Sequence, residues 1–401
     1  MSTSLAKVAI WAIAVVLPLP VQAQMETASV ATLPDLGDHL VWVGDRLLEH
    51  NVLFDGDTGE VLGMIDSPTI LTAKLPMTSR ERGEIYSVDI AYSRGNRGER
   101  IDFISIYDSR TLDFVDEIIV PTEFGTSNVS YPYNDTIGDR FMGVFNQFPN
   151  TSISIIDLVE RKFVEEIITT GCSGIYPIDD ARFATICGNG TVMSIKIDQE
   201  GHKLSLHASD PFFDVVHDPV FMAAGRAGTS WYFVSFEGQV HRVDFSTEVP
   251  IADEPWSLLS SGDAGWRPGG LQHVAVHEGL GLLYVAMHEG GAGTHKDAGP
   301  EVWSFDLEKK KRVLRIKPPN LTAAFLGGTI GVDPESLTHA LMEWLLPDEG
   351  VHTLAVSRDA EPLLFMRNAG LGAVAVVDAR SGETLRILAE AGLAGPNLGV
   401  P

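Results

Sequence analysis

Apolar and polar residues alternate in short runs along most of this chain. Seven of these runs end on an aspartate, followed by a turn and a second run. They read LFDGDTGEVLGMI around Asp55, ISIYDSRTLDFVDEI around Asp108, ISIIDLVERKFVEEI around Asp157, MSIKIDQEGHKL around Asp198, VHRVDFST around Asp244, VWSFDLEKKKRVLRI around Asp306 and VAVVDARSGETLRIL around Asp378. Period-2 alternation predicts half-buried strands. An aspartate opening the turn can hold the turn's own backbone with its side chain. Successive aspartates stand 53, 49, 41, 46, 62 and 72 residues apart, the range of propeller blades with loops added. Further strands fall between the copies, such as SWYFVSF (Ser230 to Phe236) and GLLYVAM (Gly281 to Met287). Four strands per unit and radial closure leave few free edges. The pattern therefore predicts an all-β, seven-bladed β-propeller rather than a long sandwich or two β domains. VWVG (Val41 to Gly44) is a candidate to pair with C-terminal strands and close the ring.

One stretch breaks the period. DPESLTHALMEWLL offers Asp333 as N-cap and Pro334 at the first helical position. Leu337, Ala340, Leu341, Trp344 and Leu345 keep helical spacing as far as Pro347. A short helical excursion is expected near 333–346, inside a longer insertion from about Asn320 to Asp348. It either caps the propeller's own surface or offers a partner an amphipathic face.

The N-terminus reads as a processing signal. VAIWAIAVVLPLP is an apolar run of signal-peptide length, and Val21-Gln22-Ala23 is a small-x-small site, so cleavage is expected after Ala23. Residues 24–401 are then one exported domain, with no second run long enough to span a membrane. A net charge of −25 argues against nucleic acid and anionic lipid, since phosphate binding needs a basic surface. Only Cys172 and Cys187 are present. Export makes a disulfide the expected state, the alternative being two buried free thiols.

Catalytic signatures are missing. No GxSxG elbow, phosphate loop or HExxH occurs. The stretch from Gly265 to Gly299 holds His273, His277, His288 and His295. His273 and His277 lie four apart along a strand, about 13 Å, too far to grip one metal. No metal site is expected, and these histidines read as polar groups near the end of the propeller.

Several segments, taken in order, resemble the heavy subunit of the methylamine and aromatic amine dehydrogenases. They are GEVLGMID (Gly59 to Asp66), RGERIDFISIYDSRTL (Arg97 to Leu112) and the Cys172-x4-Pro177-x9-Cys187 unit, then GWRPGG (Gly265 to Gly270), THK (Thr294 to Lys296), EPLLF (Glu361 to Phe365) and DARSGETLR (Asp378 to Arg386). The resemblance runs from about Leu53 to the C-terminus. It implies a periplasmic seven-bladed propeller in a complex of two heavy and two light subunits. The cofactor, tryptophan tryptophylquinone, and the catalytic base would lie on the light subunit, leaving no catalytic residue on this chain. The implied reaction is oxidative deamination of a primary amine to aldehyde and ammonia, with electrons passing to a cupredoxin or a c-type cytochrome. Trp266, Arg267, His295 and Lys296 are the expected partner-facing residues. Relatives place an aromatic residue near the substrate channel just after the GMID segment. Here Ser67-Pro68-Thr69-Ile70-Leu71 has none, so Thr69 and Ile70 are the expected channel residues and the amine is left open. The competing reading is a stand-alone exported propeller, either a binding protein or a lactonase-like hydrolase.

Overall fold

The computed structural model describes residues 32–67, 74–95, 97–121, 132–389, 391–392, 394–395 and 397–401. Leu33–Pro401 forms one compact unit of seven antiparallel sheets, each of four or five strands. The expected seven-bladed propeller is therefore present. Six blades are continuous in sequence, beginning at the axis with Met77–Ser79, Asn134–Ile137, Cys172–Asp179, Val220–Ala227, Trp266–Pro268 and Thr353–Val356. Blade 1 is composite. Leu398–Gly399 supplies its inner strand, next to Leu40–Asp45, His50–Asp55 and Val61–Asp66. Val43 faces Leu398 and Trp42 faces Gly399, so the Val41–Gly44 stretch closes the ring as expected.

A single side chain locks that seam. Arg367, fully buried, donates through Nη1 to the carbonyls of Gly44 (2.7 Å) and Asn397 (3.1 Å), and through Nη2 to that of Ala391 (3.2 Å). Burial pushes its pKa down to about 10, opposed by the nearby Asp45 carboxylate.

All seven repeat aspartates open the turn between the third and fourth strands of a blade. Asp55 accepts from the amides of Asp57 and Thr58, Asp108 from Arg110 and Thr111, and Asp157 from Val159 and Glu160. Asp198, Asp244, Asp306 and Asp378 act in the same way. Four residues on, the backbone turns left-handed at Gly59, Leu112, Arg161, Lys310 and Gly382. The local side-chain bond thus supports a turn that three of the five occupants enter at a steric cost.

Burial differs from the half-buried expectation. Leu40–Asp45, Phe141–Asn146, Ser152–Asp157 and Ser230–Ser235 are buried at every position, because each blade packs between two others. The core lies between blades. Tyr86, Ile104, Met142 and Ile156, for example, join blades 2 and 3. Alternating exposure is kept by outer strands such as Lys311–Ile316.

The insertion holds two helices, α1 (Leu321–Thr329) and α2 (Leu337–Leu345). The expected cap is corrected. Ser336, not Asp333, accepts from the amide of His339 (3.2 Å), while Asp333 closes the preceding turn by accepting from Glu335 N (2.9 Å). Two oxygens compete for the role, and only the nearer one reaches the free amides of the first turn. Helix α1 was not expected. Its Gly327-Gly328 pair weakens helix propensity, and its helicity comes from packing. Leu321 and Phe325 join the core cluster of blades 6 and 7.

Candidate functional site: the connector face

In an antiparallel four-stranded blade, the connections from second to third strand and from one blade to the next leave by the same face. On this face lie Ser67, just after the last strand of blade 1, the Trp266–Pro268 strand, the loop from Gly290 to Pro300, and α1 with α2. The chain order therefore brings Trp266, Arg267, His295 and Lys296 to one side of the propeller. The aspartate turns lie on the other. Thr69 and Ile70 fall outside the described residues.

Trp266 and Arg267 have partners within the chain. The Trp266 and Trp303 rings stand 5.0 Å apart, with the Arg315 guanidinium 4.8 and 4.9 Å from their centroids. Glu301 fixes the stack by accepting from Arg315 Nε and Trp303 Nε1, both at 2.6 Å. Arg267 bridges blades 5 and 6 by donating to Glu237 (3.0 Å). Cys172 and Cys187 face each other across the first two strands of blade 4 and form the expected disulfide.

The histidines separate into two settings. His277 is fixed at both nitrogens: Nε2 donates to the Asp359 carbonyl (2.8 Å) and Nδ1 accepts from Leu280 N (2.9 Å). The other three gather at the Gly290–Pro300 loop, which itself carries His295. His295 stacks on Phe236 at 4.1 Å, Phe236 lies 4.6 Å from Phe221, and Phe221 lies 3.8 Å from His273. His288 Nε2 donates to Thr294 Oγ1 (2.8 Å), whose hydroxyl donates on to Gly291 O. Gly269 makes this closure possible. A Cβ there would sit 2.4 Å from His288 Nδ1 and 2.6 Å from Asp297 O. The paired glycines that end GWRPGG, Gly269 and Gly270, thus serve close approach. Lys296 is exposed on the loop's outer side.

His273 is fully buried, with no hydrogen bond to either ring nitrogen. Burial, then the charges of His288 and His295, push its pKa down to about 3. His288 and His295 are also lowered, chiefly by burial. The cluster is neutral at pH 7. Among the described residues no group of three or more His, Cys, Asp or Glu is placed to hold a metal ion. His273 makes a pH prediction. Its folded pKa lies below its unfolded one, so the unfolded chain binds the extra proton and stability falls as pH drops below about 6.5. From pH 7 to 5 the loss from this group is about 2 kcal/mol. Thermal unfolding across that range should show a flatter slope in His273→Leu; an unchanged slope would assign the effect elsewhere.

A second polar pocket, unpredicted from sequence, flanks the link between blades 1 and 2. Burial pushes Lys74 down to about 8 and Asp89 up to about 6. Asp89 accepts from Ser87 Oγ (2.7 Å) and from Ser105 Oγ. Asp102 takes a two-pronged bond from Arg100, 2.6 Å on each arm. The signal was present in EIYSVDIAY, where Ser87 and Asp89 interrupt an otherwise apolar strand. It has meaning only once that strand is known to be buried on both sides.

A family model described as methylamine dehydrogenase heavy chain matches residues 46–321, well over half of the chain. The chain belongs to this family. Its heavy-chain relatives include those of Methylophilus methylotrophus, 24% identical over 92% of this chain and 85% of that one, and Paracoccus versutus, 23% identical over 85% and 73%. The heavy chain of Methylobacillus flagellatus is 24% identical over 65% of this chain and 66% of its own length. Solved propellers share the fold alone. A functionally unknown protein from Desulfotomaculum acetoxidans has a TM-score of 0.53 at 16% identity, covering 90% of this chain and 100% of that one. A candidate 6-phosphogluconolactonase from Bacteroides fragilis reaches 0.56 at 10% identity, covering 92% and 98%. The family match stops where α1 begins. Among the described residues no helix is long and apolar enough to cross a membrane.

Proposed function

We propose that this chain is the heavy subunit of a periplasmic amine dehydrogenase, exported with cleavage after Ala23. Two copies pair with two light subunits that carry tryptophan tryptophylquinone. When bound, that quinone supplies the two-electron oxidation of a primary amine to aldehyde and ammonia. This chain's work is to hold the light subunit, wall the substrate channel and help dock the acceptor, a cupredoxin or a c-type cytochrome. The observation that carries the reading is the family match over residues 46–321. The placing of the GWRPGG and THK segments on one face supports the docking role.

In this reading Trp266 and Arg267 act by shaping the face, since their own side chains are engaged within it. His295 and Lys296 sit on the loop that meets the partner, and Thr69 and Ile70 border the channel. Replacing Thr69 or Ile70 by Phe is expected to shift kcat/KM between small and aromatic amines by about tenfold, the scale of one pocket contact. Unchanged selectivity would move both residues away from the channel. The test of the whole reading is the native mass and visible spectrum of the protein purified from its own source. Two large and two small chains, with a quinone band bleached by added amine, would support it. A colourless lone chain would overturn it and favour the stand-alone propeller.

A further inference from the structure

Helix α2 turns its apolar stripe outward. Leu337 is 91% exposed, Trp344 79%, Leu345 62% and Leu341 52%, and among the residues of α2 only His339 is buried. The stripe is firmly held. Asn320 Oδ1 accepts from Ala323 N (3.1 Å) at the start of α1, while its Nδ2 donates to the carbonyls of Glu343 (3.2 Å) and Leu346 (3.0 Å) at the end of α2. One side chain therefore ties both helices, and His339 packs on Gly327 beneath them. Exposed Asp333, Glu335, Glu343, Asp348 and Glu349 surround the stripe. No lysine or arginine occurs between Lys317 and Arg358.

Three features define what fits. An acidic rim around an apolar centre matches an apolar patch ringed by lysine or arginine. A second copy of this chain, at −25, is repelled. One face of a nine-residue helix also falls short of the ~800 Å² per partner of a stable interface, and suits a brief encounter steered by charge. We propose that the outer face of α2 is the docking surface for a basic, soluble electron carrier whose contact patch is apolar with a lysine or arginine rim. This rests on reading the chain as part of a redox enzyme, from which electrons must leave.

The test uses the mature full-length chain and a lysine-ringed c-type cytochrome as probe, titrated calorimetrically at low and high salt. Leu341→Glu with Trp344→Glu should weaken binding at least tenfold, and Glu335→Gln with Glu343→Gln several-fold. Wild-type affinity should fall steeply with salt. Leu204→Glu, on an exposed outer-strand leucine, should bind as wild type, and all variants should keep the wild-type Tm within a few degrees. Equal binding by the α2 variants, or no binding at low salt, would overturn the proposal. So would loss of light-subunit co-purification in the α2 variants with cytochrome binding intact, because the helix would then belong to the permanent interface. The titration needs only this chain, so a missing quinone band in the native protein would defeat the proposed function without deciding this result.

Discussion

Arg367→Met is expected to destabilise the propeller by about 3–5 kcal/mol, read as a lower midpoint in guanidinium unfolding. Three carbonyls from three segments converge on this guanidinium: Gly44 from the second strand of blade 1, Asn397 beside the closing strand, and Ala391 before it. All are buried with it, so removing the guanidinium takes a charged donor from each carbonyl at a place water does not reach, although Asn397 O keeps the amide of Gly44. Arg367→Lys should recover little. A single ammonium cannot span the positions that a planar fork reaches. The comparison is Arg80→Ala, which breaks a 2.6 Å pair with Asp38 whose side chains are 45% and 56% exposed. That loss should stay below about 1 kcal/mol. A change under 1 kcal/mol for Arg367→Met would mean that the seam holds without its clamp.

Reduction of Cys172–Cys187, or replacement of both by alanine, is expected to cost about 3 kcal/mol. The bond closes a loop with a sequence separation of 15, and that closure restricts the unfolded chain. The two residues already face each other in the ladder between the first two strands of blade 4, so the folded blade needs no rearrangement when the bond is broken. The loss should therefore appear in the folding rate and midpoint, with the native spectrum kept. Equal midpoints with and without reductant would show that the hairpin is already closed in the unfolded ensemble.

The blade count was readable because each repeat carries its own punctuation. Asp108 or Asp378 ends a strand and captures the amides of the turn, a local event that local sequence can encode. The seam was readable for a related reason, since Val41–Gly44 finds a partner on one side only, His50–Asp55, in its own stretch of chain. The inner strands were harder to see. Met77–Ser79 and Asn134–Ile137 have three and four residues, too few for a period. Helix α2 was legible as a helix but not in its orientation. Spacing shows that Leu337, Leu341 and Trp344 share a side, whereas solvent or core is decided by how α1 fills the space below. His273 and Lys74 were illegible as perturbed groups because burial by distant strands sets their ionisation. GWRPGG stood out in the sequence, but its reason, room for the loop that carries His295 and Lys296, exists only in three dimensions.

The composite blade also sets the order of events during synthesis. Trp42 emerges from the ribosome early and must wait for Gly399 before the Leu40–Asp45 strand has a neighbour on its inner side. Until then the growing chain is an open fan with an unsatisfied edge, the kind of surface that recruits strands from other molecules. Val43 and Trp42, buried in the finished ring, stand until the last residues arrive on its open edge. A premature stop at codon 398, which removes only the four residues Leu398 to Pro401, would leave that open edge permanent.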